Sequence, residues 1–384
     1  MTTQTVNVGA QAIRQAIIYK EPLVAGSAMP DTTIASKFEA LIYSRSLLVK
    51  LISRYKAAGW QGLTLLYFDI VKNSGPAGLS SLAAQKSLST SAQKSISVHS
   101  NTITMDTGEM CRIHDAIIQK GTLDGLPVSE GWFMHRSDGS RYEEPGGGAA
   151  QYRMNFANAD YRKYYINKLN REFNSVDPNH LPTGAQGLFL DNANISWTLL
   201  MGMNGGKPPM EFADKAAYQL SVKTFISEVR SAFPNIKIWA NMTAFSANPE
   251  NFTDFKPYLD GAMIESAFLD WSLQPRPVDK IESGNTMVDS WGKPLLYVVQ
   301  GDKNGAYHAY TFGLYLLVVS DNAYFFYTDK SNYANYYEIP EYKLTLGAPL
   351  GARQKVSSGV WRRQFEHGTV QVDINTRTAT FTVA

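Results

Sequence analysis

Hydrophobic residues fall into short continuous apolar runs that alternate along the chain with longer stretches in which they recur at helical spacing. The short runs predict strands that are buried on both faces, as in a parallel sheet. The helical stretches supply the crossover connections that parallel strands require. Helices are predicted over residues 47–60, 108–120, 158–173, 211–233, 278–283 and 305–319.

Eight of the apolar runs predict the strands of one barrel. They cover residues 39–44, 62–70, 131–135, 186–191, 236–241, 260–265, 294–299 and 323–327. A chain of 384 residues is long enough for a barrel of this kind, which takes about 250 residues. The sequence therefore predicts an α/β fold, a (β/α)8 TIM barrel, with the N-terminal run 16–22 as a plug or added strand.

The C-terminal part of the chain shows a different pattern. Residues 360–365, 369–374 and 379–383 alternate apolar and polar positions and are separated by turn residues, which is typical of antiparallel strands. We therefore predict a barrel domain over residues 1–342 and a small antiparallel β appendage over 343–384. A segment rich in serine and glycine, residues 73–100, predicts an irregular insertion after the second strand.

Composition and charge exclude several classes of function. The net charge is +2, whereas a nucleic-acid surface needs a strong basic excess, and no apolar run is long enough to cross a bilayer. The only cysteine is Cys111, and the six histidines form no metal-binding motif. We therefore expect no nucleic-acid partner, no membrane partner, no bound metal and no cofactor.

The first residues, Met-Thr-Thr-Gln-Thr-Val, lack the basic start and apolar stretch of a secretory signal peptide. An extracellular protein whose signal lies outside this sequence would look the same. A protein carried on a virus particle would also look the same. The sequence thus leaves location and oligomeric state open.

The polar residues that close the predicted strands are the candidate site, because barrel active sites lie at the carboxyl ends of the strands. Asp191 closes the fourth predicted strand and Glu265 closes the sixth. An unpaired charge is costly to bury, so two such carboxylates need an explanation. One explanation is that each is satisfied by backbone donors or by an arginine. The other is a catalytic pair at one barrel mouth.

A pair of carboxylates suits cleavage of a glycosidic bond. One group stays ionised and the other donates a proton to the leaving oxygen, and the charge of the first helps the second to keep its proton. We expect Asp191 to be the nucleophile, since the neighbouring Asn192 can hold a sugar hydroxyl. Glu265 has the longer side chain and suits the acid/base role.

Other strand ends carry candidate groups for substrate binding. The polar candidates are Asp69, His135, Asn192, Asn241 and Asp302. Trp271 and Tyr327 are candidates for stacking on a sugar ring, although aromatic residues near strand ends are more often part of the core. The partner predicted by this set is an oligosaccharide or polysaccharide.

Three of these segments, QGLFLDNANISW, IWANMTAF and DGAMIESAF, resemble hypothetical glycosyl hydrolase family fifteen and, more remotely, the endo-α-1,4-polygalactosaminidase family. The matching features are an Asp-Asn pair after an apolar strand, the strand-end Asn241, and Asp260-Gly261 followed by Glu265. The resemblance spans roughly residues 39–375. It implies a barrel glycosidase that acts with retention of configuration, from a group found in bacteria and bacteriophages.

Two other functions fit parts of the pattern. A catalytically inert carbohydrate-binding or receptor-binding barrel, for example on a phage tail, would use the same aromatic residues. A barrel lyase or aldolase would need a strand-end lysine, a metal cluster or a phosphate loop. No predicted strand ends in lysine, and the aspartate within residues 301–305 disfavours an anion there.

Overall fold

The computed structural model describes most of the chain, and the fold below refers to those parts. They are residues 15–18, 22–24, 27–70, 72–75, 113, 116–117, 120–145, 150–174, 184–193, 196–203, 205–242, 253–301, 305, 307–320, 323–329 and 332–383. Asp302, most of the predicted helix 108–120 and most of the segment 73–100 lie outside the described residues.

Eight parallel strands close into a barrel, which confirms the predicted fold class. They are β1 (Gln15–Ile18), β2 (Phe38–Tyr43), β3 (Leu63–Asp69), β4 (Gly187–Asp191), β5 (Lys237–Asn241), β6 (Gly261–Glu265), β7 (Leu295–Gly301) and β8 (Ala323–Asp329). Around the barrel they follow the order β1-β8-β7-β6-β5-β4-β3-β2. All seven residues of β7 are buried, as expected for a strand covered on both faces.

Two strand predictions are wrong. The run 16–22 is not an added strand, because β1 pairs in parallel with both β2 and β8 and completes the barrel. Residues 131–135 form no barrel strand. Gly131 and Trp132 belong to a 3-10 helix, Glu130–Trp132, and Phe133 and His135 make isolated antiparallel bridges to Met154 and Arg141. Asp191 still ends the fourth barrel strand and Glu265 the sixth.

Helices cover the connections between barrel strands and agree with most of the predicted ones. They are α1 (Asp31–Lys37), α2 (Arg45–Ala57), α3 (Ala159–Asn174), α4 (Trp197–Met203), α5 (Lys215–Ala232), α6 (Val278–Trp291) and α7 (His308–Val318). Helix α5 begins later than predicted because Asp214 is its N-cap and accepts from the amide of Ala217 at 2.9 Å. Among the described helices, none combines the length and apolar character that crossing a membrane requires.

The C-terminal segment forms an antiparallel sheet, as predicted, with four strands where the sequence pattern indicated three. Its strands are β9 (Gln354–Ser357), β10 (Val360–Phe365), β11 (Gly368–Asp373) and β12 (Thr378–Val383). The sheet packs on α7 so closely that a Cβ on Gly313 would lie 2.7 Å from Ala379. Arg363 also donates to the carbonyls of Leu316, Leu317 and Val319, which satisfies the C-terminal end of that helix.

The chain divides into two compact units. The first comprises the described parts of Met1–Tyr67, Gly184–Phe189 and Lys237–Ala384, and the second those of Phe68–Thr183 and Leu190–Ile236. The C-terminal sheet belongs to the first unit, and the predicted boundary after residue 342 stays a prediction.

Several smaller elements complete the described structure. Leu23–Val24 pairs with Ser27–Ala28, and Thr122–Leu123 pairs with Leu126–Pro127. Lys72–Gly75, Ala150–Arg153 and Glu143–Pro145 form a three-stranded sheet, and Pro340–Lys343 is a 3-10 helix.

Candidate active site

Glu265 closes strand β6 after four buried residues and is itself partly exposed. Side chains alternate between the two faces of a strand, so Glu265 shares its face with Gly261. A Cβ at Gly261 would lie 2.4 Å from the indole of Trp239, so this position has room only for glycine. The buried indole of Trp239 therefore packs against β6 at the start of the strand face that ends in Glu265.

Among the described residues, Asn241, Gln300 and Tyr333 donate to the Glu265 carboxyl group. The side chain of Asn241, which ends β5 and is fully buried, donates to Oε2 at 3.0 Å. Gln300 of β7 donates to Oε1 at 3.2 Å, and the hydroxyl of Tyr333 donates to the same oxygen. Such donors fix the orientation of a carboxyl group and stabilise its ionised form.

The backbone after β6 fixes the side-chain amide of Gln300. The Oε1 of Gln300 accepts from the backbone amide of Ser266 at 3.0 Å and from the Ser266 hydroxyl at 2.9 Å. Since a backbone N–H can only donate, the amide oxygen of Gln300 must face Ser266 and its NH₂ must face Glu265. Both Gln300 and Ser266 are almost completely buried, so this arrangement is shielded from water.

Tyr333 is the residue of this site that the sequence did not reveal. It lies in a turn after β8, a segment without strand or helix periodicity. Asp329 anchors the turn by accepting from Tyr337 at 2.8 Å and from Asn335 at 3.3 Å. The cluster of tyrosines and asparagines in residues 332–337 was the available sign that this loop has a polar role.

The two predicted stacking residues lie in different surroundings. Trp271 is at the tip of the turn that follows Glu265, and 47 % of its surface is exposed. Arg276 closes this turn by donating to the carbonyl of Ser266 at 2.9 Å. Tyr327 is fully buried and shares its strand face with Phe325, which packs on α7. The side chain of Trp271 is therefore partly exposed, whereas the buried ring of Tyr327 contacts His308.

Asp191, Asn192 and Asp69 come together in the second unit. The side-chain amide of Asn192 donates to Asp69 at 3.0 Å and to Asp191 at 3.3 Å. Asn192 reaches both because its backbone is left-handed, with φ of 58°, a conformation that asparagine tolerates. Asp69 is held further by Tyr165, whose hydroxyl donates to its carbonyl at 2.6 Å. Asn192 thus connects the two carboxylates.

His135 belongs to a cluster of charged side chains in the second unit. Its Nδ1 lies 2.6 Å from Glu211 and its Nε2 lies 3.3 Å from Glu130. Glu130 also binds the buried guanidinium of Arg141 through both oxygens. Both ring nitrogens are therefore engaged with carboxylates. The strand-end position that suggested substrate binding for His135 does not exist in this fold.

The pKa values of this cluster follow from its contacts. Burial lowers the pKa of His135, but hydrogen bonds and charge from Glu130 and Glu211 outweigh it and raise the pKa to about 9. Burial raises the pKa of Glu130, but Arg141 and His135 outweigh it and lower the pKa to about 2. At neutral pH, His135 is a cation between two carboxylates.

We expect the second unit to lose stability as the pH rises through about 9, where folded His135 loses its proton. The unfolded histidine titrates near 6.5, so the stabilisation that protonated His135 gives to the folded unit is fully present below that pH. We expect this stabilisation to be about 2 kcal/mol. Urea unfolding between pH 6 and 10 measures this loss. His135→Gln removes the titrating group and should flatten the profile, whereas an equally steep profile in that variant would contradict the assignment.

In the part of the chain that the structure describes, cavities also lie away from the strand ends. One of about 190 Å³ is lined by Trp291, Leu295 and Ala323, at the start of β7 and β8. Another of about 540 Å³ lies on the C-terminal sheet beside Arg362 and Gln364. Within the described ranges, no three histidine, cysteine, aspartate or glutamate side chains are grouped to hold a metal ion.

The fold and the residues at its strand ends define a class of protein: a (β/α)8 barrel with a hydrogen-bonded, partly exposed glutamate at the carboxyl end of β6. Comparison with family models places the chain within that class. The model of Hypothetical glycosyl hydrolase family 15 matches residues 114–369. The chain belongs to this family and is a glycosidase.

The comparison with solved structures includes matches to glycosidases at low sequence identity. The glycoside hydrolase domain of PelA from Pseudomonas aeruginosa is 13% identical, with 84% of this chain and 96% of that chain covered and a TM-score of 0.47. A GH27 β-L-arabinopyranosidase variant from Geobacillus stearothermophilus is 10% identical. The match covers 94% of this chain and 84% of that chain, with a TM-score of 0.47. A search of curated proteins gives no match.

Proposed function

We propose that this glycosidase hydrolyses O-glycosidic bonds of a bacterial or other polysaccharide with Asp191 and Glu265 as its catalytic carboxylates. The observation that carries the proposal is the setting of Glu265. Its carboxyl group is held on both oxygens by neutral donors and is still partly exposed at the end of β6. Asp191 ends β4 of the same barrel, and its carboxylate accepts from Asn192.

The proposed reaction proceeds in two steps with retention of configuration. First, Glu265 gives its proton to the glycosidic oxygen, the C1–O bond breaks with its electron pair going to that oxygen, and Asp191 forms a bond to C1. Water then attacks C1, gives a proton to Glu265, and the bond to Asp191 breaks with its electron pair returning to the carboxylate. Each cycle consumes one water and restores both groups.

The surroundings of the predicted binding residues support a contact with sugar to different degrees. Trp271 is the best supported, because its indole is exposed on the turn that follows β6 and can stack on a pyranose ring. Asn192 and Asn241 carry amides already aligned with the carboxylates, and Asp69 and Asp302 remain proposed polar contacts. His135 and Tyr327 bind other protein groups, so we propose that they act by supporting the fold around the site.

A screen of polysaccharides with analysis of the products tests the proposal. We expect at least one glycan to be cleaved, and its first-formed reducing end to keep the anomeric configuration of the substrate when followed by proton NMR. Inversion in the first product would contradict the two-step reaction. Binding of glycans without cleavage of any of them would favour the inert carbohydrate-binding barrel.

A further inference from the structure

The C-terminal sheet has one face against the helices of the barrel and one face toward solvent. On β10, the indole of Trp361 donates to Glu282 of α6 at 3.1 Å, and Arg363 donates to the carbonyls at the end of α7. Side chains alternate between the two faces of a strand. Arg362 and Gln364, which are both exposed, therefore belong to the opposite, outer face.

Arg362 lies in a row of exposed polar side chains that crosses the whole sheet. It is paired with Gln354 on β9 and with Gln371 on β11, and Gln371 is paired with Thr380 on β12. All four residues are exposed. Neighbouring strands lie about 4.8 Å apart, so the row is about 14 Å long. It presents a guanidinium group, two amides and a hydroxyl, which can bind the hydroxyl and carboxylate groups of a sugar chain.

A groove of about 540 Å³ opens on the sheet beside Arg362. The chain along the edge of β10 contains extra residues at this point, because the amide of Leu350 donates to the carbonyl of Gln364, whereas Gln354 is already paired with Arg362. The extra residues, 351–353, form a bulge that lines the groove. The side chain of Leu350 also lines it and is 63% exposed, so it can contact the C–H groups of a sugar ring.

The charge of Arg362 is not neutralised by the acidic side chains of the sheet. Among the described residues, no carboxylate forms an ion pair with it. Asp373 and Glu366, at the ends of β11 and β10, accept from backbone amides instead. The basic side chains of Arg353 and Lys355 each pair with a carboxylate of α6. An exposed guanidinium without an internal counterion is available to bind an anion.

We propose that this outer face is an accessory binding site for an acidic polysaccharide, in which Arg362 binds the carboxylate of a uronic acid. A guanidinium offers two parallel N–H donors to a carboxylate. Gln354 and Gln371 bind the neighbouring sugar hydroxyls, and Leu350 contacts the apolar edge of a ring. The choice of a polysaccharide as the ligand rests on the proposed function. The site holds the glycan without making or breaking a bond.

The test follows the side-chain amide signals of Gln354 and Gln371 by NMR in the whole chain labelled with ¹⁵N. The chain carries Asp191→Asn so that hydrolysis cannot consume the probe, and each signal is assigned by its loss in the corresponding alanine variant. Tetragalacturonate should shift both signals with a Kd of about 1 mM, and maltotetraose, a neutral tetramer, should bind at least about tenfold more weakly. These signals report the outer face separately from binding at the barrel strand ends.

Three arginine variants separate a specific contact from net charge. Arg362→Gln should weaken the binding of tetragalacturonate about tenfold, because the paired hydrogen bonds to the carboxylate are lost. Arg377→Gln is the matched control, since Arg377 is exposed on the turn between β11 and β12. It changes the net charge equally and should alter the Kd by less than about twofold. Arg362→Lys keeps the charge without the planar fork and should recover only part of the affinity.

Several outcomes would overturn the proposal. One is an absence of shifts with tetragalacturonate, and another is an equal loss of affinity in Arg362→Gln and Arg377→Gln. Equal affinity for pentaglutamate would also overturn it, because the face would then bind anions without regard to a sugar. If the shifts appear but the unmodified chain cleaves no glycan, the accessory site stands and the hydrolase function fails. Cleavage without the shifts would reject the accessory site alone.

Discussion

Glu265→Gln is expected to lower kcat on a polysaccharide by about 10³-fold, because an amide has no acidic proton to give to the leaving oxygen. The substitution preserves shape. The new side-chain oxygen can still accept from Gln300 and Tyr333, and the amide of Asn241 can turn to present its oxygen to the new NH₂. The loss should therefore come from chemistry, while KM and the unfolding midpoint change little.

The leaving group separates the two proposed roles. An aryl glycoside with a strongly acidic phenol needs no proton to depart, so Glu265→Gln should recover much of its first-step rate on such a substrate. Asp191→Asn should stay inactive on both substrates, because its carboxylate is required to form the bond to C1. If Asp191→Asn recovered and Glu265→Gln did not, the proposed roles would have to be exchanged.

Glu282→Gln is the matched control for these variants. Glu282 lies on α6 and bonds to Trp361 and Lys355 of the C-terminal sheet, so the same chemical change there should leave kcat intact. Full activity of Glu265→Gln on a polysaccharide would reject Glu265 as the acid. A loss shared by Glu282→Gln would point to a general effect on the fold.

The barrel could be predicted because buried parallel strands produce a strong sequence pattern. Strands β4 to β8 fall within one or two residues of their predicted starts, since each is a continuous apolar run between a helix and a polar strand end. Asp191 and Glu265 follow such runs directly. Their positions on the fourth and sixth barrel strands could therefore be found without coordinates.

The apolar run 131–135 shows where this pattern fails. Three large apolar residues, Trp132 to Met134, suit a barrel strand and an irregular buried segment equally well. Here the run pairs with other segments in the antiparallel direction. The backbone amide of Met134 donates to the carbonyl of Arg153, and its carbonyl accepts from the amide of Tyr142. Its polar end residue, His135, consequently pairs with Glu211 and Glu130 instead of facing the barrel mouth.

The partners of Glu265 were only partly accessible from sequence. Gln300 directly follows the predicted strand 294–299 and could be recognised as a polar strand end. Its bond to the backbone that follows β6 depends on the register between the two neighbouring strands. Tyr333 lies 68 positions from Glu265 in a turn with no periodicity. Tertiary contacts of this kind leave no local mark in a single sequence.

Arg141→Ala is expected to destabilise the second unit by about 3 kcal/mol. The guanidinium is fully buried, binds both oxygens of Glu130, and lies 3.7 Å from the centre of the Phe133 ring. Removing it leaves a carboxylate without its main partner and a void beside an aromatic ring, and both effects are costly. Urea unfolding at pH 6 measures the change.

Three further variants separate charge from packing in that result. Arg141→Lys keeps the charge but loses the paired hydrogen bonds and the flat stacking surface, so it should recover only part of the stability. Arg171→Ala removes a partly exposed pair with Asp124 and should cost less than about 1 kcal/mol. Adding Glu130→Gln to Arg141→Ala should restore part of the stability, because the uncompensated carboxylate is removed while the void beside Phe133 remains. A loss at Arg141 no larger than that at Arg171 would show that the guanidinium contributes little to the second unit and that His135 alone compensates Glu130.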